Sequence, residues 1–87
     1  MIRKHIIAHG RVQGVGLRFT VTGFAKKYNV TGWVRNLYDG TVEMEVQGDE
    51  NSIQQMLVQI QKQRWIEVNH MEITEIPCVE ERGFRIR

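Results

Sequence analysis

Gly10-Arg11-Val12-Gln13-Gly14-Val15-Gly16-Leu17-Arg18 is a glycine-punctuated turn that ends in an arginine, at the point where an apolar segment of helical period begins. Glycines allow a tight backbone turn and bring N–H groups close to a ligand. The start of a helix adds unpaired donors and the positive end of the helix dipole. An arginine contributes a fixed charge and a planar fork of donors that suits phosphate oxygens. The stretch therefore reads as an anion cradle joining a strand to a helix. The bare Gly-x-x-x-Gly-x-Gly spacing also describes a plain structural turn, so the chain around it has to carry the rest of the argument.

Upstream, Ile2, Ile6 and Ala8 share one face of a strand over Ile2 to His9, interrupted by Lys4. Downstream, Leu17, Val21, Phe24, Ala25 and Tyr28 recur at helical spacing, and Asn29 supplies a stop. Gly23 interrupts this helix at a cost of about 1 kcal/mol relative to alanine, which close packing or weak constraint must explain. Thr31 to Asn36 reads as a second strand. Val42, Met44 and Val46 alternate with Glu43, Glu45 and Gln47 in a third, and Asp39-Gly40 turns between them. A polar break, Gly48 to Ser52, offers several N-caps to a second helix with the stripe Ile53, Met56, Leu57 and Ile60, read as core. Val68 to Ile76 has a weaker strand pattern ended by Pro77, and Phe84 to Arg87 adds a short last strand. The order β-α-β-β-α-β with a final strand predicts an α+β, ferredoxin-like sandwich, with two helices on one face of a mostly antiparallel sheet.

At 87 residues, 41% hydrophobic and 25% charged, the chain suits a single domain over residues 1–87 that folds by packing. The lone Cys78 cannot form an internal disulfide, and this agrees with a reducing compartment. No apolar run approaches the roughly 20 residues needed to span a bilayer, and the first residues lack a signal-peptide apolar block, so a cytoplasmic protein without a membrane partner is expected. The formal charge of +2 is scattered among acids, too little for a nucleic-acid partner. Small size favours a monomer.

A second segment, Gly32-Trp33-Val34-Arg35-Asn36-Leu37-Tyr38-Asp39-Gly40-Thr41-Val42-Glu43, lies beyond the first helix. Together the two segments resemble the acylphosphatase family, which carries a Gly-x-Val-Gln-Gly-Val-x-Phe-Arg loop and a Gly-Trp-Val-x-Asn-x-x-Asp-Gly hairpin in this order. The resemblance covers residues 10–48 closely and the remainder by pattern. Gly83-Phe84-Arg85-Ile86-Arg87 is similar to the family's final strand, and a complete domain is expected. Leu17 stands where the family usually has phenylalanine, with similar apolar volume. Gln63 to Val68 replaces a Gly-Pro turn common among relatives.

The resemblance implies hydrolysis of an acyl phosphate to a carboxylate and inorganic phosphate, directly and with neither metal nor cofactor. It assigns phosphoryl binding to Arg18 and water orientation to Asn36. Loop amides from Val12, Gln13, Gly14, Val15, Gly16, Leu17 and Arg18 would hold the phosphoryl oxygens, and inorganic phosphate or another anion would bind there too. The chemistry suits these parts. The carboxylate leaving group needs little acid assistance, so positioning and charge stabilisation can carry the reaction. A neutral amide with one acceptor and two donors can aim a water without taking its proton.

Other reactive residues do not assemble into a site. His5, His9 and His70 lack metal-ligand spacing, and Cys78 has no nucleophile motif. The side chains of Val12, Val15 and Leu17 are read as packing, Arg11 and Arg35 as exposed, and Gly32 and Trp33 as turn and packing. Glu43 and Glu45 are read as a wet strand face, and Glu80 with Glu81 as an acidic loop. Two alternatives belong to other classes. One is a noncatalytic acylphosphatase-like module that binds phosphate or a protein. The other is a ferredoxin-like RNA-binding module, whose stacking aromatics are absent from the central strands.

Overall fold

The computed structural model describes all residues from Met1 to Arg87. Its elements are β1 (Ile2–Arg11), α1 (Leu17–Lys27), β2 (Thr31–Asn36), β3 (Val42–Gly48), α2 (Glu50–Gln61), β4 (Glu67–Ile76) and β5 (Phe84–Ile86). They form one sheet in the order β4-β1-β3-β2-β5. All neighbours are antiparallel except β2 and β5, which run parallel. This is the expected split β-α-β arrangement. β1 runs two residues further than its apolar pattern indicates, through a register shift at His9/Gly10 that keeps Gly10 and Arg11 paired with β4.

The core lies between the helices and one face of the sheet. Ile6 and Ala8 of β1, Val34 of β2, and Val42, Met44 and Val46 of β3 are buried there against Leu17, Val21 and Ala25 of α1 and Ile53, Met56, Leu57 and Ile60 of α2. Leu17 is buried, so the apolar volume expected at this position is packed as required. β4 is an edge strand with mostly exposed residues, which accounts for its weak pattern. The segment between α2 and β4 buries Ile66 and leaves Trp65 outside.

Asn29 ends α1 in the left-handed region, at φ 56°. The amide of Val30 donates to the Ala25 carbonyl at 2.8 Å and that of Asn29 to the Lys26 carbonyl at 3.4 Å, a Schellman closure. Gly23 is exposed, and a Cβ added there would meet nothing within 4 Å. Weak constraint, not close packing, therefore explains how it is tolerated. Gly23→Ala should stabilise the fold by about 1 kcal/mol, read as a rise in Tm of roughly 4–8 °C in thermal unfolding.

The opposite face of the sheet is not the simple wet surface expected from its alternating glutamates. Arg3, 2% exposed, donates to Glu45 at 2.8 Å, to Glu81 at 2.7 Å and to Gln47 at 3.2 Å. Glu43 accepts from Arg35 at 2.6 Å and pairs with His5 at 2.7 Å. Gln47 also clamps the backbone of Val79 on both sides, through its carbonyl oxygen and its amide. The segment after β4 is thereby tied down across the sheet, and Glu81 belongs to an ion-pair cluster rather than to a free acidic loop. Gly32 lies within β2 rather than in a turn, and glycine is required there because a side chain would overlap the Glu45 carbonyl. Trp33 is buried beneath the Arg87 and Arg35 guanidiniums, at 4.4 and 5.3 Å from its ring centre.

Candidate active site

Sheet order brings the two sequence segments together. β1 and β2 flank β3 and both run antiparallel to it, so Ala8 and Asn36 both lie opposite Val42. The loop that leaves β1 and the hairpin that leaves β2 consequently emerge at the same end of the sheet. The hairpin is held by its own contacts. Leu37 N–H donates to the Thr41 carbonyl at 2.9 Å, and Asp39 accepts from the Thr41 amide and hydroxyl at 3.0 and 2.6 Å. Those bonds, chiefly the one from the Thr41 hydroxyl, hold the Asp39 carboxyl below its ordinary pKa.

Gln13 locks the loop to this hairpin. Its side-chain amide donates to the Leu37 carbonyl at 2.7 Å and to the Thr41 carbonyl at 2.8 Å, on either side of the turn and next to Asn36. The sequence alone assigns Gln13 only a backbone role. No spacing rule marks a side chain whose partners lie more than twenty residues away, so the bridge became visible only with the fold.

Between the buried Val12 and Leu17 the chain turns through Gly14 and Gly16, at φ 73° and 78°, a region that side chains rarely adopt. The left-handed Gly16 precedes α1 and provides no side-chain cap. The Thr20 amide is the first of the helix to close back, onto the Gly16 carbonyl at 3.0 Å, and no amide from Val12 to Arg18 donates to a protein acceptor. The first turn of α1 also lacks acidic residues. A row of free donors thus coincides with the positive end of a helix. Val15 is half-buried against the core, as its packing role requires.

Arg18, half-buried in the first turn, makes no ion pair within the protein, and Asn36, the last residue of β2, is exposed with its side chain unengaged. The other reactive residues are paired or exposed. His9, next to Ala8 at the same end of the sheet, pairs with Glu72 and meets His70 with tilted rings 5.5 Å apart, His5 is bound to Glu43, and Cys78 is exposed beyond β4. Arg11 and Arg35 are exposed, as expected.

The sequence model of the family described as Acylphosphatase matches residues 4–86, nearly the whole chain. The chain belongs to the acylphosphatase family. It is 41% identical to an acylphosphatase of Bifidobacterium longum over 90 aligned residues, covering 100% of this chain and 93% of that one. It is 46% identical to an acylphosphatase of Geobacillus thermodenitrificans, with 99% and 94% covered. The crystal structure of the acylphosphatase from Bacillus subtilis superposes with a TM-score of 0.92 at 36% identity, covering 100% of this chain and 99% of that one. The activity is accordingly that of an acylphosphatase, an enzyme that hydrolyses an acyl phosphate to a carboxylate and inorganic phosphate.

Proposed function

We propose that the Val12–Arg18 loop binds the phosphoryl group, that Arg18 neutralises its charge and that Asn36 aims the attacking water. The observation that carries this reading is the uninterrupted run of unpartnered amides at the positive end of α1, beside a guanidinium with no carboxylate of its own. Such donors are already oriented before substrate arrives, so little reorganisation is needed as charge shifts onto the phosphoryl oxygens. Water attacks phosphorus in line with the anhydride oxygen. The P–O bond to the acyl group breaks, the carboxylate leaves with that electron pair, and the water's proton passes to the phosphate product or to solvent. A carboxylate departs at neutral pH without being protonated, which agrees with a site whose acting groups are an arginine, an amide and backbone donors.

Gln13 is a positioning residue in this account, since it sets the distance between the phosphoryl cradle and Asn36. Gln13→Glu keeps the shape but turns an acceptor toward two carbonyl oxygens, so it should disturb that distance as much as Gln13→Ala. Both variants should lose about 10- to 100-fold in kcat/KM, the scale of effect that a small misplacement of reacting groups produces. A structural role alone would lower stability and leave kcat/KM of the folded fraction unchanged.

We further read residues 1–87 as one domain that acts as a monomer in a reducing cytoplasm, a setting compatible with the exposed lone thiol of Cys78. No helix is long and apolar enough to cross a membrane. Titration with inorganic phosphate, followed by amide NMR, tests the cradle directly. The amides of Gln13 to Arg18 should shift most and together, whereas shifts centred on the basic residues of the opposite sheet face would contradict the assignment.

A further inference from the structure

Where the segment after β4 returns over the sheet face opposite the helices, it leaves a cleft of about 320 Å³. That is the lower end of the roughly 300–1,000 Å³ of small-molecule sites. Arg3, Trp33, Glu80, Glu81, Arg85 and Arg87 line it, so it shares no residue with the Val12–Arg18 loop and does not include Asn36. Its walls are fixed. Gln47 clamps Val79, the Gly32 amide donates to the Gly83 carbonyl at 3.1 Å, and the Arg87 amide donates to the Val34 carbonyl at 2.9 Å. Arg3 and Glu81 are committed to each other at 2.7 Å. The remaining three charges are not. Glu80, Arg85 and Arg87 are exposed, and none of them forms an ion pair although opposite charges line the same cleft. The Arg87 guanidinium lies over Trp33, 4.4 Å from the ring centre, a contact made by its flat face that leaves its N–H donors free.

The signs of these charges decide what the cleft accepts. A plain anion drawn to Arg85 and Arg87 meets the Glu80 carboxylate, and a plain cation drawn to Glu80 meets two guanidiniums. A molecule that carries both charges satisfies all three groups. We propose that this cleft binds a small zwitterion of the amino-acid class, with its carboxylate on the Arg85 and Arg87 guanidiniums and its ammonium on Glu80. Guanidinium forks match the two oxygens of a carboxylate. Trp33 is the only apolar side chain of the lining, which suits a short hydrocarbon spacer between the two charges. The site stands apart from the phosphoryl loop, so it holds or fails independently of the reading of that loop.

The test titrates glycine, 4-aminobutyrate and 6-aminohexanoate, in which the distance between the charges grows, and follows the indole N–H of Trp33 by NMR. Butyrate and butylammonium serve as single-charge controls. At least one of the three zwitterions should bind about 10-fold or more tightly than either control, and Glu80→Gln and Arg87→Gln should each weaken it about 10-fold or more, the scale of losing one charged hydrogen bond. Benzoyl phosphate turnover should stay within about twofold of wild type in both variants. Glu80 makes no ion pair, so Glu80→Gln keeps the fold and decides the matter alone if Arg87→Gln does not fold. A Trp33 signal unmoved by all three zwitterions, butyrate binding as tightly as they do, or unchanged affinity in Glu80→Gln would overturn the assignment.

Discussion

Replacing Arg18 with alanine should cost turnover and inorganic-phosphate affinity together, whereas replacing Asn36 with alanine should cost turnover alone. Arg18 has no competing carboxylate, so its charge is fully available to a bound phosphoryl group in ground and transition states. Loss of one preorganised donor to a charged transition state lowers kcat by about 10²–10³. Loss of a charged hydrogen bond to the bound anion adds ~1.5–3 kcal/mol to phosphate binding, a tenfold or greater rise in its inhibition constant. Asn36 is neutral and projects from the end of β2 rather than from the loop, so its removal leaves the anion's donors in place. Steady-state kinetics of both variants with benzoyl phosphate, using inorganic phosphate as inhibitor, measures the division. Equal weakening of phosphate inhibition in the two would refute it.

The second large effect concerns stability and comes from Arg3. Its side chain is 3% exposed and joins Glu45, Glu81 and Gln47, carried by β3 and by the segment before β5. The bond to Glu81 raises the Arg3 pKa most, against burial, and Glu45 adds to it. Burial pushes the Glu81 carboxyl up, but hydrogen bonding by Arg3, then by Thr31, and the charges of Arg3 and Arg85 outweigh that and hold it below the ordinary glutamate value. Arg3→Leu leaves two half-buried carboxylates without their cation, a change that costs up to about 3–5 kcal/mol, the value for a fully buried pair. That is a large share of a small domain's stability, typically 5–15 kcal/mol.

Acid supplies a check on the cause. In Glu43, too, burial acts upward and is overcome by His5 and Arg35, so both glutamates titrate lower in the folded chain than in the unfolded one. Their contribution is present above the ordinary carboxyl value of about 4.3 and is lost as pH falls below it. In Arg3→Leu the desolvation of Glu81 persists while its largest opposing partner is gone and only Thr31 and Arg85 remain, so its carboxyl titrates higher than in wild type and less stability is lost on its protonation. Urea midpoints between pH 7 and pH 3.5 should therefore fall steeply for wild type and more shallowly for the variant. Parallel curves would mean that Arg3 acts by packing alone.

Local chemistry decided what could be read in advance. The loop and the hairpin were legible because left-handed glycines and a terminal arginine are compact signals, and the stripe Ile53, Met56, Leu57 and Ile60 because a buried helix face repeats. Asn29 announced the end of α1 by the same logic. What escaped the sequence depends on distant parts of the chain. Arg3 occupies a position that alternation assigns to solvent, and only the return of residues 77–83 over that face covers it. The parallel pairing of β5 with β2 involves three residue pairs and leaves no periodic trace. Gln13 resembles any polar loop residue until the hairpin carbonyls arrive beside it.

The deciding assay is hydrolysis of benzoyl phosphate by the purified protein and by Arg18→Ala, each in the presence of a chelator. Wild type should show rapid, chelator-insensitive turnover, and the variant, with its fold intact, a loss of about 10²–10³. A folded wild type no faster than spontaneous hydrolysis, or an Arg18→Ala variant as fast as wild type, would contradict the proposed mechanism.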